Sequence, residues 1–236
     1  MTFSQLGRAL ACRWPDYRPN DLAQAVRAFV PLVQVPPRAV WGRAGQSRHT
    51  SAELWLWQSA RGAAGRPETL AELVTRYLAA FGPAAVRDVA AWSGLTGLRP
   101  VLEELRPSLV TFADELGTEL FDLPSAPRPG ADVPAPVRLV AEFDNLVLSH
   151  ADRSRVVSTE NFKRFSTING IFPGSVLIDG FVAGLWRLAR NSGSITLTIE
   201  LFGPEQDLDQ VVSEAERMLA FCAPGAPADI RFAAVG

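Results

Sequence analysis

Residues 136–188 contain the segments PVRLVAEFDNLVLSHADRSRVV (136–157), NFKRF (161–165) and PGSVLIDGFVAGLWRL (173–188). β-Branched and aromatic residues alternate with polar ones on both sides of residues 149–164, which predicts strands around a charged loop. The charged residues of this loop include Asp152, Arg153, Arg155, Lys163 and Arg164. Because a loop held by rigid strands presents its side chains to a partner, the pattern predicts a scaffold that holds cations outward.

The composition predicts a folded protein with a sizeable core, since 47% of the 236 residues are hydrophobic. The sequence contains no apolar run of about 18 residues and no secretory signal pattern, so we expect a cytoplasmic protein that does not cross a membrane. Cys12 and Cys222 each lie in an apolar helical pattern, which predicts buried free thiols. The two cysteines and two histidines never approach the spacing of zinc ligands, and no cofactor is expected.

Positive charge is concentrated at the amino terminus. Residues 1–66 contain nine arginines against Asp16, Asp21 and Glu53, which gives +6, so the remaining residues carry −8 within a net charge of −2. A basic segment ahead of an acidic body predicts an end that faces a polyanion. Lys163 is the only lysine. Arginine suits phosphate, but a GC-rich genome also favours arginine, so this preference is weak evidence.

Residues 1–57 have the pattern of an incomplete winged helix-turn-helix module. A possible capping box at Thr2 and Gln5 starts a helix, Asn20 and Asp21 are predicted to cap a second one, and a short strand and a basic loop follow. The helix that normally precedes these two is missing. Exposed arginines of this module would contact DNA phosphates, namely Arg27, Arg38, Arg43 and Arg48. Residues 58–67, QSARGAAGRP, have the composition of a linker.

Residues 68–123 predict a complete winged-helix module. An amphipathic helix over residues 70–81, a short helix ending near Gly94, and a third helix capped by Thr96 precede a hairpin with its turn at residues 115–118. The supposed recognition helix and the wing carry several acidic residues, namely Glu103, Glu104, Asp114, Glu115 and Glu119. Carboxylates repel phosphate, so we expect this module to be a structural spacer rather than a reader of bases.

Residues 136–236 predict a small β-barrel with a helix. A Pro-rich bridge leads into it, a strand is expected over residues 194–202, an apolar helical stripe runs from Leu208 to Cys222, and a last strand follows over residues 229–235. The predicted fold class is therefore α+β, with tandem winged-helix modules, the first incomplete, followed by a small β-barrel with a C-terminal helix.

Several segments together resemble a known family. FDNLVLSHADRSRVV, PGSVLIDGFVAGLWRL and SITLTIELFGP, with RYLAAFGPAAVRDVAAWSGL upstream, resemble the bacterial winged-helix DNA-binding family that includes the AlkZ-type DNA glycosylases. The resemblance extends over residues 2–222. It implies tandem winged-helix modules and a β-barrel that form a C-shaped body with a basic channel for duplex DNA. It also implies excision of alkylated bases and, in some members, unhooking of interstrand cross-links.

The chain departs from this family at the catalytic motif. The family's motif is Gln-hydrophobic-Gln or Gln-hydrophobic-Asp in its amino-terminal module, and it is taken to position the attacking water. None of the seven glutamines has Gln or Asp two places on, and the nearest match, Gln34-Val35-Pro36, ends in proline. The chain therefore looks like the carboxy-terminal two thirds of the architecture, either because the coding start was placed late or because this is a short form.

Other candidate sites have structural interpretations beside the functional ones. Asp144 and the His150–Asp152 pair could serve as acid and base, but a turn, a cap and arginine pairing explain them better. His49 either touches a phosphate or sits on a solvated wing. Tryptophans more often fill cores than stack on bases, which applies to Trp41, Trp55, Trp57 and Trp186. Gly42–Gly45 lacks the Lys-Ser/Thr of a phosphate-binding loop.

The sequence thus predicts a protein that binds duplex DNA largely through phosphates and has no catalytic or metal-binding residue of its own. The DNA-binding candidates are Arg27, Arg38, Arg43, Arg48, Arg153, Arg155, Lys163 and Arg164. One alternative is an active alkylation or cross-link DNA glycosylase whose catalytic module is missing here. Another is a transcriptional regulator or a protein-interaction module. The sequence leaves the oligomeric state open.

Overall fold

The computed structural model describes residues 1–38, 40, 43, 45–56, 69–165, 172–191, 193–203 and 207–233. The predicted linker at 58–67, Trp41 and Trp57 lie outside these residues. The chain divides into two compact units, Met1–Glu68 (unit 1) and Thr69–Gly236 (unit 2). The division into three domains, residues 1–57, 68–123 and 136–236, stays a prediction. Apart from residue 68, the second and third of these domains lie in unit 2.

Unit 1 contains two helices, a two-stranded antiparallel sheet and a short helix. The elements are α1 (Phe3–Ala11), α2 (Pro19–Phe29), β1 (Leu32–Val35), β2 (Arg48–Ser51) and α3 (Ala52–Leu56). The predicted capping box is confirmed, since Thr2 and Gln5 bond each other's backbone N–H groups. The predicted cap of α2 is wrong: the helix begins at Pro19, whose fixed φ suits a first helical position.

The core of unit 1 is thin. Gly7 and Ala23 are the buried residues of its two long helices, and a Cβ on Gly7 would overlap the carbonyl of Pro19, so the helices touch closely at this glycine. Cys12 was predicted to be buried but is exposed, because it follows the last residue of α1, where the thiol bonds back to the Arg8 carbonyl at 3.5 Å. Close helix contact therefore holds unit 1 with little buried apolar area.

Unit 2 begins with three helices and a hairpin around an apolar core. The elements are α4 (Leu70–Phe81), α5 (Val86–Ser93), α6 (Arg99–Leu105), β3 (Val110–Ala113) and β4 (Glu119–Asp122). Buried side chains from all three helices and the hairpin meet in one cluster, which includes Tyr77, Val89, Leu102 and Phe121. The helix over residues 70–81 and the hairpin are confirmed. Thr96 does not cap α6, which starts at Arg99 with Pro100 in its first turn.

A five-stranded sheet forms the second part of unit 2. Its strands are β5 (Arg138–Val140), β6 (Gly174–Ile178), β7 (Phe181–Asn191), β8 (Ser194–Leu201) and β9 (Ala228–Phe232), in that spatial order. All neighbours are antiparallel except β8 and β9, which are parallel and joined by a long helix, α9 (Leu208–Cys222). Within the described strands β5 and β9 are edges that do not pair, so the predicted closed barrel is not confirmed.

One face of the sheet is covered by α9. Buried residues of the strands, such as Val176, Leu197 and Ile199, pack there against Val211 and Ala215 of the helix. Cys222, at the end of α9, is buried as predicted. The chain is thus a mixed α+β protein. No helix in the described ranges is both long and apolar enough to span a membrane.

The stretch that was predicted as strands around a loop is partly helical. Residues Asn145–Leu148 form a helical turn, α7, and residues Thr159–Phe165 form a helix, α8. The strand predicted through Leu148 is wrong because the Asp144 carboxylate accepts the Leu146 N–H at 2.8 Å and caps α7. Behind α7 and α8, Val147, Val157 and Leu185 belong to a third apolar cluster on the sheet.

Candidate nucleic-acid interface

The described arginines of unit 1 are exposed and have no carboxylate partner among the described residues. Seven lie in its described part: Arg8, Arg13, Arg18, Arg27, Arg38, Arg43 and Arg48. Their contacts among the described residues are with neutral groups. Arg8 bonds the Ser4 hydroxyl, Arg13 lies 5.3 Å from the Trp14 ring centroid, and Arg27 lies 5.7 Å from that of Phe3. Their positive charge is therefore available to an anion from solution.

The four candidates predicted in unit 1 lie on α2 and on the hairpin. Arg27 is in the last turn of α2, and Arg38 and Arg43 lie in the loop that joins β1 to β2. Arg48 opens β2 opposite Val35. Ser47 donates a hydrogen bond to the Gln34 side chain at 2.7 Å, which ties the end of the loop to β1. The hairpin therefore holds the base of a loop that carries two exposed arginines.

Arginines of unit 2 are mostly in ion pairs. The pairs are Arg87–Asp152, Arg99–Glu103, Arg99–Glu119, Arg106–Glu103, Arg106–Glu119, Arg128–Asp122, Arg138–Glu214, Arg217–Glu214 and Arg231–Asp229. Hydrogen bonds from Arg106 lower the pKa values of Glu103 and Glu119, which keeps both carboxylates charged. Ion pairs thus engage Arg99 and Glu103 of α6, the helix that we expect to belong to a structural spacer.

Arg153 and Arg155 are engaged with their own fold. The Arg153 Nε donates to the Val147 carbonyl at 2.9 Å, and its guanidinium lies 4.6 Å from the Phe162 ring centroid. Arg155 donates to the Pro83 carbonyl at 3.0 Å and lies 3.3 Å from the His150 Nε2. These contacts fix the segment after α7 against the helical part of unit 2. Both residues are therefore less available to phosphate than the arginines of unit 1.

Lys163 and Arg164 lie exposed on α8. Arg164 stacks over the Phe202 ring, 5.0 Å from its centroid. Lys163 has no ion pair or hydrogen bond with the part of the chain that the structure describes. Both also complement the negative end of the helix dipole, because they are in the last turn. They add a small cationic site in unit 2.

The acid and base candidates of the sequence have structural partners. Asp144 caps α7, and Asp152 accepts the Ser154 N–H at 2.9 Å and lies 3.4 Å from Arg87. The backbone N–H of Ser154 is the main cause that lowers the pKa of Asp152. His150 is buried, with its Nδ1 at 2.9 Å from the Ser149 hydroxyl, and burial lowers its pKa. His150 and Asp152 thus lie where the segment 149–155 contacts the helical part of unit 2, and we call this contact region the joint.

Two residues that the sequence did not single out complete this joint. The two carboxylate oxygens of Asp88 accept the N–H groups of Ala85, at 2.8 Å, and Ala151, at 3.0 Å. Tyr77 donates to the Ser149 carbonyl at 2.7 Å, and burial raises its pKa. The acidic residue three places after Ala85 had the spacing of a helix cap, but nothing local pointed to Ala151.

Unit 1 contains an apolar groove with a volume of about 1040 Å³. Its walls include Phe3, Leu6, Val30, Leu32 and Trp55. His49 lies in it with its ring centroid 4.5 Å from that of Phe3, and its buried Nδ1 has no partner among the described residues. His49 is thus packed on an aromatic ring rather than placed on a solvated wing. Polar residues also line the groove, namely Arg48, His49, Thr50 and Ser51.

The tryptophans in the described ranges differ in burial. Trp186 is half-buried, and its Nε1–H donates to the Val140 carbonyl at 2.8 Å, which fits the predicted core role. Trp55 is 50% exposed and lines the groove of unit 1 instead of filling a core. In the described ranges no group of His, Cys, Asp and Glu side chains could hold a metal ion.

Comparison with known proteins shows the family of the chain. The family model described as "DNA glycosylase AlkZ-like" matches residues 1–221. The chain therefore belongs to the AlkZ-like DNA glycosylase family, which acts on DNA.

A solved structure also resembles the chain. The Streptomyces sahachiroi DNA glycosylase AlkZ superimposes with a TM-score of 0.65 at 19% sequence identity. The similarity covers 95% of this chain and 63% of that chain, so this chain spans less than two thirds of the length of its structural neighbour. No curated protein matched the sequence significantly.

Proposed function

We propose that the chain binds duplex DNA largely through its phosphates, as a DNA-binding member of this glycosylase family. The proposal rests on one observation, which is that the arginines of the two units differ in their ion pairing with carboxylates. The seven described arginines of unit 1 have no carboxylate partner among the described residues, whereas seven arginines of unit 2 are in ion pairs. An unpaired exposed guanidinium can release counterions from DNA, while a paired one must first lose its carboxylate.

The phosphate contacts that we propose come from Arg27, Arg38, Arg43 and Arg48 in unit 1 and from Lys163 and Arg164 in unit 2. Arg153 and Arg155 support the fold in this proposal, because each guanidinium already binds a backbone carbonyl. Contacts of this kind fix position on the duplex and carry no sequence information. Binding is therefore expected with little dependence on DNA sequence.

The order of elements supports a tandem winged-helix architecture. Helices α1 and α2 with the β1–β2 hairpin repeat the order of α5 and α6 with the β3–β4 hairpin. We interpret the first set as the incomplete module and the second as a spacer, and the five-stranded sheet as part of a barrel-like domain. No cofactor is needed for such binding, and the cytoplasm is the compartment that we propose.

Salt dependence tests the phosphate contacts. Fluorescence anisotropy measures binding to a labelled duplex of about 20 base pairs between about 50 and 200 mM salt. Binding should weaken steeply, and the logarithm of the association constant should fall with the logarithm of the salt concentration with a slope of about 0.9 per phosphate contact. Arg38→Gln, Arg43→Gln and Arg48→Gln should each lower the slope by about one and weaken binding equally on unrelated sequences.

Arg217→Gln is the matched control, because this exposed arginine already pairs with Glu214 at 2.9 Å. It should leave affinity and slope unchanged. A flat salt response, or an equal loss in this control, would contradict the phosphate contacts. A strong preference for one DNA sequence would instead favour a transcriptional regulator, and no binding to any duplex would favour a protein-interaction module.

Base excision is a second candidate function, favoured by the family match over residues 1–221. A glycosylase must hold a water against the sugar carbon of a flipped nucleotide. This sequence contains no Gln-hydrophobic-Gln or Gln-hydrophobic-Asp segment. DNA binding without excision therefore predicts that the chain releases no N7-methylguanine from a methylated duplex, assayed by chromatography of the free base, whereas the second candidate predicts release. Release by this chain would assign the chemistry to residues outside that motif.

A further inference from the structure

Phe143 combines an unfavourable backbone conformation with an exposed side chain. Its φ is 57°, in the left-handed region that bulky residues avoid, and it is the only aromatic residue in the described ranges with a positive φ. The residue is 51% exposed. A strained conformation is usually offset by burial or by function, and burial here is only partial. This ring therefore needs an explanation other than core packing.

The surrounding contacts hold Phe143 in this conformation. Its N–H donates to the Phe172 carbonyl at 3.3 Å. The next residue, Asp144, caps α7 through the Leu146 N–H, and Arg153 binds the Val147 carbonyl in the same turn. The backbone on both sides is thus fixed before any ligand arrives. A rigid aromatic side chain loses little entropy on binding.

Phe143 ends a row of aromatic rings. Its ring meets that of Phe172 edge-on with the centroids 6.3 Å apart, and Phe172 lies 6.3 Å from Phe162. Arg153 stacks over Phe162, which is also part of this row. Phe162 also belongs to α8, the helix that carries Lys163 and Arg164. An aromatic platform thus adjoins one of the cationic elements in the proposed phosphate-binding set.

The charge next to Phe143 indicates which part of a nucleic acid could bind to its ring. Glu142, directly before Phe143, is exposed, so a phosphate placed here would meet a carboxylate. A nucleobase offers a neutral π-face instead, and bases stack on aromatic side chains without regard to sequence. We propose that Phe143 is a stacking platform for an unpaired, extrahelical nucleobase. This inference rests on the proposed DNA binding and adds a site that the phosphate contacts do not require.

Two bulged duplexes test the platform with the full chain. One carries a single bulged adenine, and the other carries an abasic residue at the same bulge, so that both have the same distortion and differ only in the base. The chain should bind the adenine duplex about 5- to 100-fold more tightly, as measured by anisotropy. Phe143→Gly should reduce this ratio to about one, because the platform is lost.

Glycine suits a positive φ, so Phe143→Gly should still fold, which thermal unfolding checks. Phe143→Trp should keep the preference. Phe181→Ala is the matched control, because Phe181 is 54% exposed at the start of β7, outside the aromatic row, and should leave the ratio unchanged. If the wild type and Phe143→Gly show the same ratio of affinities for the adenine and abasic duplexes, the inference is overturned while DNA binding stands. The exposed ring would then be assigned to a contact with another protein. Absence of binding to every duplex would contradict both the inference and the proposed function.

Discussion

Asp88 links two parts of unit 2 that are distant in sequence. One of its oxygens caps α5 through the Ala85 N–H, and the other accepts the Ala151 N–H 63 residues further on. The Asp88 side chain is only 2% exposed and Ala85 is buried, so removing the carboxylate would leave the buried Ala85 N–H without this acceptor. A single residue thus fixes the helical part of unit 2 to the segment that leads into α8.

His150 lies in the same joint and makes its stability depend on pH. The ring is close to Ser149 and Arg155, with Tyr77, Asp88 and Asp152 around it. Burial and, next, the Arg155 charge lower its pKa below the usual 6.5. The folded protein therefore favours the neutral ring. The neutral His150 ring therefore adds to the free energy of unfolding at pH values above the pKa of the unfolded state, about 6.5. This contribution is lost as the pH falls from about 6.5 towards the lower pKa of the folded state.

We expect the free energy of unfolding to decrease when pH is lowered from about 7.5 to about 5.5, by at most about 1.4 kcal/mol per pH unit. Urea unfolding at several pH values measures it. His150→Gln should flatten the decrease, since it cannot take up the proton. The carboxylates with lowered pKa, such as Asp114 and Asp152, titrate below this window. Parallel pH profiles for wild type and variant would show that His150 does not cause the decrease.

The helix α4 and the hairpin β3–β4 meet at a glycine that has no room for a side chain. A Cβ on Gly82 would lie 2.5 Å from the Asp122 Oδ1 and 2.7 Å from the Leu78 carbonyl oxygen. Asp122 itself is fully buried and lies 3.3 Å from the Arg128 Nε. The end of α4, the hairpin and the bridge after it therefore depend on this close approach.

Gly82→Ala should destabilise the protein by about 1–3 kcal/mol, because the hairpin must move away from α4. Chemical denaturation measures the change. Gly203→Ala is the control, since a Cβ there would meet nothing within 4 Å and its φ is not in the left-handed region. It should shift stability by less than about 0.5 kcal/mol. Similar losses in both variants would point to a general effect of replacing glycine.

Elements with local signals could be predicted from the sequence, whereas long-range contacts could not. The capping box at Thr2 and the apolar stripes of α4 and α9 are local patterns, and they were predicted correctly. The NLVL segment alternates like a strand, but the Asp144 cap makes it helical. The joint between the helical part of unit 2 and the segment after α7 could not be predicted from the sequence for another reason. Tyr77 and Ser149 are 72 residues apart, and periodicity carries no information at that separation.

The two units differ in how much apolar surface they bury. Among the described residues of unit 1, Ala23 is the only buried hydrophobic residue, whereas unit 2 contains three buried clusters. Local opening is easiest where few apolar contacts must break. The arginines without carboxylate partners also lie in unit 1, so the unit proposed to provide most of the phosphate contacts is the one with the smaller core.

Amide hydrogen exchange should reflect this difference. We expect the amides of α1 and α2 to exchange faster than those of α9 and β8, as measured by mass spectrometry of peptides from the two units. Added duplex DNA should slow exchange in unit 1 and leave the α9 peptides as an internal reference. Equal protection in both units without DNA would contradict the expected order of stability.

Lys163 gives the protein a single side-chain amine that can be modified selectively. It is the only lysine among 236 residues, and it is exposed on α8. Amine-specific reagents can therefore modify this helix and the chain's α-amino group and nothing else. Reductive methylation with isotopically labelled formaldehyde would place one side-chain NMR signal on α8. Its response to added DNA would be read without assigning the spectrum.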